Sequence, residues 1–211
     1  LYSLATPNGQ KAGIMLEELG LEYDAHTIHI MKGDQFDPEF VAINPNSKIP
    51  AIVDPDGPGG KPIAIMESGA ILLYLAEKTG RLLPEDPHAR SEAIQWTFFQ
   101  VGSIGPMFGQ FGHFYKFAKG KTDTYGEQRY GKEVTRLLGV LEKHLSDGRE
   151  WLAGEFSIAD IMIVPWINAL DFYEGKDFVG YSSFPTVDAW VKRFMARPGV
   201  QRGVKVCGFG G

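Results

Sequence analysis

The strongest constraint on this chain is a change of period at Leu83-Pro84-Glu85-Asp86-Pro87. Proline lacks an amide proton and pushes its predecessor into extended backbone, so two prolines this close end one element and separate it from the next. Before this point the segments are short and alternate in type. Leu1 to Ala5 reads as a strand, Gln10 to Leu19 as a helix stopped by Gly20, and Tyr23 to Ile30 as a strand. Asp37 to Ile43 reads as a short helix, Ile49 to Val53 and Pro62 to Met66 as strands joined by a Gly/Pro turn, and Ser68 to Thr79 as a helix. The order is β-α-β-α-β-β-α, that of a small α/β domain.

After the linker only helical periods remain, clearest in Glu92 to Val101, Tyr125 to Leu145, Ser157 to Phe172 and Val187 to Met195. The expected organisation is an α/β domain over residues 1–83 and an all-α domain over residues 84–211. Leu1 opens inside a strand pattern, so a leading segment is expected ahead of it.

Composition narrows the function classes. The 21 Lys and Arg against 26 Asp and Glu give a net charge of -5 with no basic block, which argues against a nucleic-acid partner. No apolar run has the length of a membrane span, and no signal peptide is visible, so the expected setting is cytoplasmic with no membrane partner. The one cysteine, Cys207, lies in a glycine-rich tail and reads as incidental. Thiol chemistry here would need a borrowed thiol.

Three features carry candidate chemistry. Thr6-Pro7-Asn8-Gly9 joins the first strand to the first helix and sets two small polar side chains at a helix N-terminus, where free N–H groups favour a thiolate or carboxylate. The same residues would also serve as ordinary caps. Ser47-Lys48-Ile49-Pro50-Ala51 places a proline just before an apolar strand, where the residues alone favour a trans bond. Glu67-Ser68-Gly69-Ala70-Ile71 opens a helix with a carboxylate and a hydroxyl that together could grip an amino acid by both its charged ends.

In this order and spacing, Thr-Pro-Asn-Gly, Asn-Pro-Asn-Ser-Lys-Ile-Pro-Ala and Glu-Ser-Gly-Ala-Ile-Leu-Leu-Tyr-Leu resemble the glutathione transferases. Gly154-Glu155-Phe156-Ser157-Ile158-Ala159-Asp160 resembles that family's buried capping box, a structural element. Thr6 to Lys11, Gly33-Asp34-Gln35-Phe36 and Phe111-Gly112-His113-Phe114-Tyr115 are similar to the bacterial Nu class, whose members are glutathione-dependent disulfide-bond reductases. The resemblance implies a thioredoxin-like first domain with a cis peptide before Pro50, a helical second domain and a homodimer. It implies that Asn8, Gln35, Lys48, Ile49, Glu67, Ser68 and Arg129 bind glutathione, with Thr6 facing the sulfur. It also implies two glutathione molecules, or their disulfide, per site, and no metal.

The first turn offers no Tyr, Ser or Cys to the sulfur unless Tyr2 or Ser3 leaves its strand. Thr6 and Asn8 then remain as thiolate stabilisers, and the expected reaction is reduction of small disulfides by bound glutathione. Two alternatives stand beside it: conjugation of glutathione to electrophiles, and a non-catalytic glutathione-binding or regulatory protein. Peroxide reduction is a further option. Arg129, on the long helix, reads as a solvated arginine or as a fork for a second carboxylate. His113, among Phe108, Phe111, Phe114 and Tyr115 in what reads as a Gly-rich bend, reads as a lining residue.

Overall fold

The structure, a computed structural model, describes residues 1–209. It divides into two compact units, one of Leu1–Arg81 together with the segment from Ala196 onward, the other of Leu82–Met195.

The first unit is built on a four-stranded sheet in the order β2-β1-β3-β4, with β1 Tyr2–Ser3, β2 His26–Thr27, β3 Ala51–Asp54 and β4 Ile63–Met66. β1 and β2 are parallel, so the chain must cross over between them, and α1 (Pro7–Leu19) makes the crossover. β3 runs antiparallel to both β1 and β4. The short helix α2 (Pro38–Ile43) leads into β3, and α3 (Ser68–Thr79) follows β4. This is the expected element order, with the first two expected strands reduced to two residues each. The Ile49–Pro50 peptide is cis.

Local chemistry accounts for these elements. α1 starts where Thr6 caps it and Pro7 presets the helical φ, and it ends at Gly20, whose φ of 68° is easy only for glycine. Asp37 caps α2 by accepting from Glu39 N at 2.9 Å. Ile14, Met15, Ile71 and Leu72 are fully buried and pack α1 and α3 into one apolar layer.

The second unit holds α4 (Pro87–Phe99), α5 (Gly105–Gly112), α6 (Tyr125–Leu145), α7 (Ile158–Tyr173) and α8 (Pro185–Met195). π-helical turns at Gln100–Ile104 and His113–Phe117 flank α5, so the expected Gly-rich bend around His113 is helix instead. Its glycines face neighbours: a Cβ on Gly112 would lie 2.4 Å from the Tyr173 ring. Small residues there serve close packing rather than a turn. Asp160, fully buried, accepts from Leu152 N at 3.1 Å, Ser157 N at 3.0 Å and Trp190 Nε1 at 2.9 Å, joining the start of α7 to α8. Among the described residues, no helix is long and apolar enough to cross a membrane.

One feature departs from the expected division at residue 84. The chain after α8 returns to the first unit as α9 (Pro198–Gly203), which packs on α1. Gly13 and Gly203 allow the approach: a Cβ on Gly203 would sit 2.4 Å from Ile14 Cα, and one on Gly13 would sit 2.6 Å from Gly203 O. The six-residue helix has too short an apolar pattern to be read from sequence.

Candidate functional site

Strand register gathers the candidate residues at one end of the sheet. Tyr2 pairs with both His26 and Ala51, and Ala51 pairs with Met66. With β3 antiparallel to its neighbours, it begins at the end where β1, β2 and β4 finish. The turn after β1 carrying Thr6, the Ile49–Pro50 step into β3, and Glu67 after β4 therefore leave the sheet together. The segment after β2 departs from this end too and leads to Gln35.

The turn after β1 is the most constrained part. Thr6 Oγ1 accepts from Gly9 N at 3.3 Å, so the capping role is real. A Cβ on Gly9 would fall 1.8 Å from Leu4 O, which only glycine avoids. The tight turn leaves Thr6 and Asn8 half-buried. Tyr2 and Ser3 stay in β1, Tyr2 stacked on His26 with ring centroids 4.6 Å apart and Ser3 buried, so neither serves the turn.

At the second helix start, Ser68 is buried and Glu67 is exposed. Glu67 has φ 69°, a conformation that L residues rarely adopt. Backbone in such a region at a helix entrance signals a local demand other than helix formation.

Lys11 connects the two helix starts. It projects from α1 into the unit, 1% exposed, with Nζ 2.8 Å from Asn8 Oδ1 and 3.3 Å from Ser68 Oγ. Burial pushes its ammonium well below the ordinary lysine range, and the negative charge of Glu67 opposes that shift. Lys11 did not emerge as a site residue from the sequence. The available signal was its place three residues after Asn8 and on the stretch with Ala12, Met15 and Leu16, where a lysine is out of keeping with burial.

The remaining candidates sit as follows. Gln35 lies in a 3-10 turn, Asp34–Phe36, and its buried Oε1 accepts no hydrogen bond among the described residues. Lys48 is exposed, with its carbonyl accepting from Asn44 Nδ2 at 2.6 Å, and Ile49 is half-buried. Arg129 is exposed on α6 in the second unit, and His113 is exposed at the head of a π-helical turn. Cys207 belongs to the first unit, where its carbonyl accepts from Ala5 N at 2.9 Å and its thiol is buried. A cavity of about 410 Å³ lined by Leu16, Tyr23, Ile52 and Leu75 contains none of the candidate residues.

Two helix N-termini and a buried lysine thus frame a polar group of Asn8, Ser68 and Glu67, suited to a small ligand bearing carboxylate and ammonium groups. Residues 5–78 match the glutathione S-transferase N-terminal domain family, and residues 113–198 match the glutathione S-transferase C-terminal domain family. The chain belongs to the glutathione S-transferases. Within this family it is 46% identical over 200 residues to the disulfide-bond oxidoreductase YfcG of Escherichia coli K12, covering 94% of this chain and 90% of YfcG. A glutathione transferase family member from Pseudomonas fluorescens Pf-5, solved with two glutathione molecules bound, is 54% identical with a TM-score of 0.95, covering 98% of this chain and 92% of that one. The Pseudomonas putida glutathione transferase, solved with one glutathione disulfide bound per subunit, is 52% identical with a TM-score of 0.94, covering 97% and 89%. The α/β and all-α organisation of this glutathione S-transferase accords with these likenesses.

Proposed function

We propose that this chain is a disulfide reductase that uses bound glutathione as both nucleophile and reductant. One observation carries the reading: the helix start that should face the sulfur presents Thr6 and Asn8 and no cysteine, while the single cysteine of the chain is buried. That cysteine is buried in the segment after α8 and is not part of the turn, so a relay through a protein thiol at the turn lacks its first member. The relatives, one a disulfide-bond oxidoreductase and two solved with glutathione or its disulfide, support the same reading.

The chemistry needs stabilised thiolates and no protein nucleophile. Asn8, the Thr6 hydroxyl and the N-terminal dipole of α1 lower the pKa of a bound glutathione thiol, raising the thiolate fraction near neutral pH. That thiolate attacks one sulfur of a disulfide RSSR, forming the mixed disulfide GSSR and releasing RS⁻, which takes up a proton. A second glutathione thiolate attacks the glutathionyl sulfur of GSSR, releasing RS⁻ and closing GSSG. The sum is RSSR plus two glutathione giving two RSH and one GSSG. Ser68 and Glu67 hold the γ-glutamyl end, Ile49 offers its backbone to the cysteinyl residue, and Lys48 and Gln35 bind the remaining polar groups. The reaction suits the cytoplasm, where the glutathione pool is reducing, and the protein is proposed to work there as a homodimer.

Rates with 2-hydroxyethyl disulfide and with a chlorinated nitroarene, each with glutathione, test this. Faster disulfide turnover is expected. A much faster arene reaction would make the chain a conjugating transferase, and binding without turnover of either would make it a binding protein.

A further inference from the structure

We propose that Lys11 is a positioning residue: from inside the first unit it holds the Asn8 amide and the Ser68 hydroxyl in the single orientation that makes each a donor to the ligand. The inference rests on the glutathione-binding reading above and extends it to a residue that does not touch the ligand.

Hydrogen-bond chemistry supplies the first step. An ammonium is a donor only, so the group facing it must be an acceptor. The Asn8 amide has an oxygen end and an NH2 end of nearly equal size, related by a half-turn about χ2, and nothing intrinsic selects between them. Lys11 Nζ at 2.8 Å from Oδ1 selects the oxygen for the inside, which assigns the NH2 to the opposite side of the amide. Asn8 is half-buried, so part of the residue meets solvent, and the proposal puts the NH2 on that part. A thiolate needs a donor there.

Ser68 follows the same logic. A hydroxyl rotates freely and either donates or accepts along a given direction. Lys11 at 3.3 Å occupies an Oγ lone pair, so the hydroxyl proton turns elsewhere and Ser68 is a donor to an acceptor such as a carboxylate. One ammonium therefore sets the polarity of both helix starts, reaching Ser68 across 57 residues of chain.

Energetics separate this role from a purely structural one. Burying an ammonium is costly, and a well-packed apolar side chain of similar volume at such a position is often neutral or stabilising. Lys11 is 1% exposed among Ala12, Ile14 and Met15, where a methionine would satisfy packing. What nitrogen adds over methionine is its bonds to Asn8 Oδ1 and Ser68 Oγ, together with a charge that Glu67 favours.

The test is a pair of double-mutant cycles built on Lys11→Met. Glutathione dissociation constants by calorimetry are measured for Lys11→Met, Ser68→Ala and both together. The thiol pKa of bound glutathione, by thiolate absorbance, and kcat for 2-hydroxyethyl disulfide are measured for Lys11→Met, Asn8→Ala and both together. Lys11→Met is expected to weaken glutathione binding about tenfold and to raise the bound thiol pKa. Each double variant is expected to lie within about twofold of the Ser68→Ala or Asn8→Ala single, because the partner to be oriented is already gone. Wild-type affinity, thiol pKa and kcat in Lys11→Met, or losses that multiply fully in both cycles, would overturn the proposal. If Lys11→Met does not fold, Lys11→Gln replaces it: the shorter amide reaches one oxygen, so coupling persists in one cycle and disappears in the other, and full independence in both overturns the proposal. Absent disulfide turnover in the wild type sinks the proposed reaction alone, since the binding cycle still decides Lys11. A wild-type chain that binds no glutathione overturns both.

Discussion

Arg197 closes a two-bonded ion pair on Glu18, Nε to Oε1 at 3.0 Å and the guanidinium NH2 group to Oε2 at 2.7 Å, across 179 residues of chain. The Glu18 side chain is only 8% exposed, and a Cβ on the neighbouring Gly199 would lie 2.7 Å from Glu18 Cδ. The fork therefore fixes the segment entering α9 on the last turns of α1, the helix whose first turn carries Thr6 and Asn8. Arg197→Ala should cost about 1–2 kcal/mol, reduced from the value of a fully buried pair because the arginine is partly solvated. Guanidinium denaturation reads this directly. An unchanged midpoint would mean that α9 is held without the pair.

The contact of α9 with α1 depends on bare backbone. Gly203→Ala should destabilise by about 1–3 kcal/mol, because its Cβ would meet Ile14 backbone, which cannot rotate away. Gly102→Ala is the control, since among the described residues no atom beyond its own stretch of helix lies within 4 Å of a Cβ placed there. Thermal unfolding of both variants should separate them clearly, and equal melting temperatures would remove close packing as the reason for glycine at 203.

Asp160 makes a prediction with a definite sign in pH. Its oxygens take bonds from Leu152 N, Ser157 N and Trp190 Nε1, so an amide at this position turns NH2 toward a donor whichever way it lies. Asp160→Asn should cost about 2–3 kcal/mol. Burial pushes the Asp160 carboxyl up from 3.8 to about 6, against the opposing effect of its backbone and Trp190 donors. Between those values the folded chain holds a proton that the unfolded chain has lost, so this group's contribution is greatest below pH 4 and declines as pH rises through 6. The stability difference between wild type and Asp160→Asn should shrink across that interval, and a difference that grows would reverse the assignment.

Elements with a strong local cause were legible in the sequence. α3 and α6 lie where their apolar spacing puts them, and Ser157 caps α7 three residues before its Asp160 partner. The region around His113 was misread because glycines that admit aromatic rings are indistinguishable, in sequence, from glycines that turn the chain. In the site, Thr6, Asn8, Glu67 and Ser68 announce themselves as helix-start residues. Lys11 does not, because its partner Ser68 is distant in sequence and lysine is ordinarily a surface residue.

The two ends of the site should fail differently. Asn8→Ala should lower kcat for disulfide reduction about tenfold or more while changing glutathione affinity little, and Ser68→Ala should chiefly weaken binding. Thr6 carries two roles, since its Oγ1 also caps α1 at Gly9 N. Thr6→Ala should therefore lose about 1 kcal/mol of stability along with activity, whereas Thr6→Ser should keep both. Parallel measurement of kcat, glutathione dissociation constant and melting temperature checks the set, and matched losses in kcat and affinity at Asn8 and Ser68 would erase the distinction.

Glu67 offers the sharpest separation of stability from function. Its φ of 69° is strained for any residue with a Cβ, and its exposed side chain serves the fold through the charge it sets near the buried Lys11 ammonium. Glycine adopts this backbone without strain. Glu67→Gly should therefore change the stability of the unit by no more than about 1 kcal/mol, relief of strain offsetting the charge lost near Lys11, while weakening glutathione binding about tenfold. Under the proposed binding mode the loss of affinity should track charge, with Glu67→Gln intermediate, because the carboxylate is the partner proposed for the ligand ammonium and also counters the effect of burial on Lys11. Calorimetric binding and chemical denaturation on the same three proteins decide it. A glycine variant less stable than wild type by clearly more than about 1 kcal/mol would show that the Glu67 side chain holds the helix start, and one that binds glutathione normally would remove Glu67 from the site.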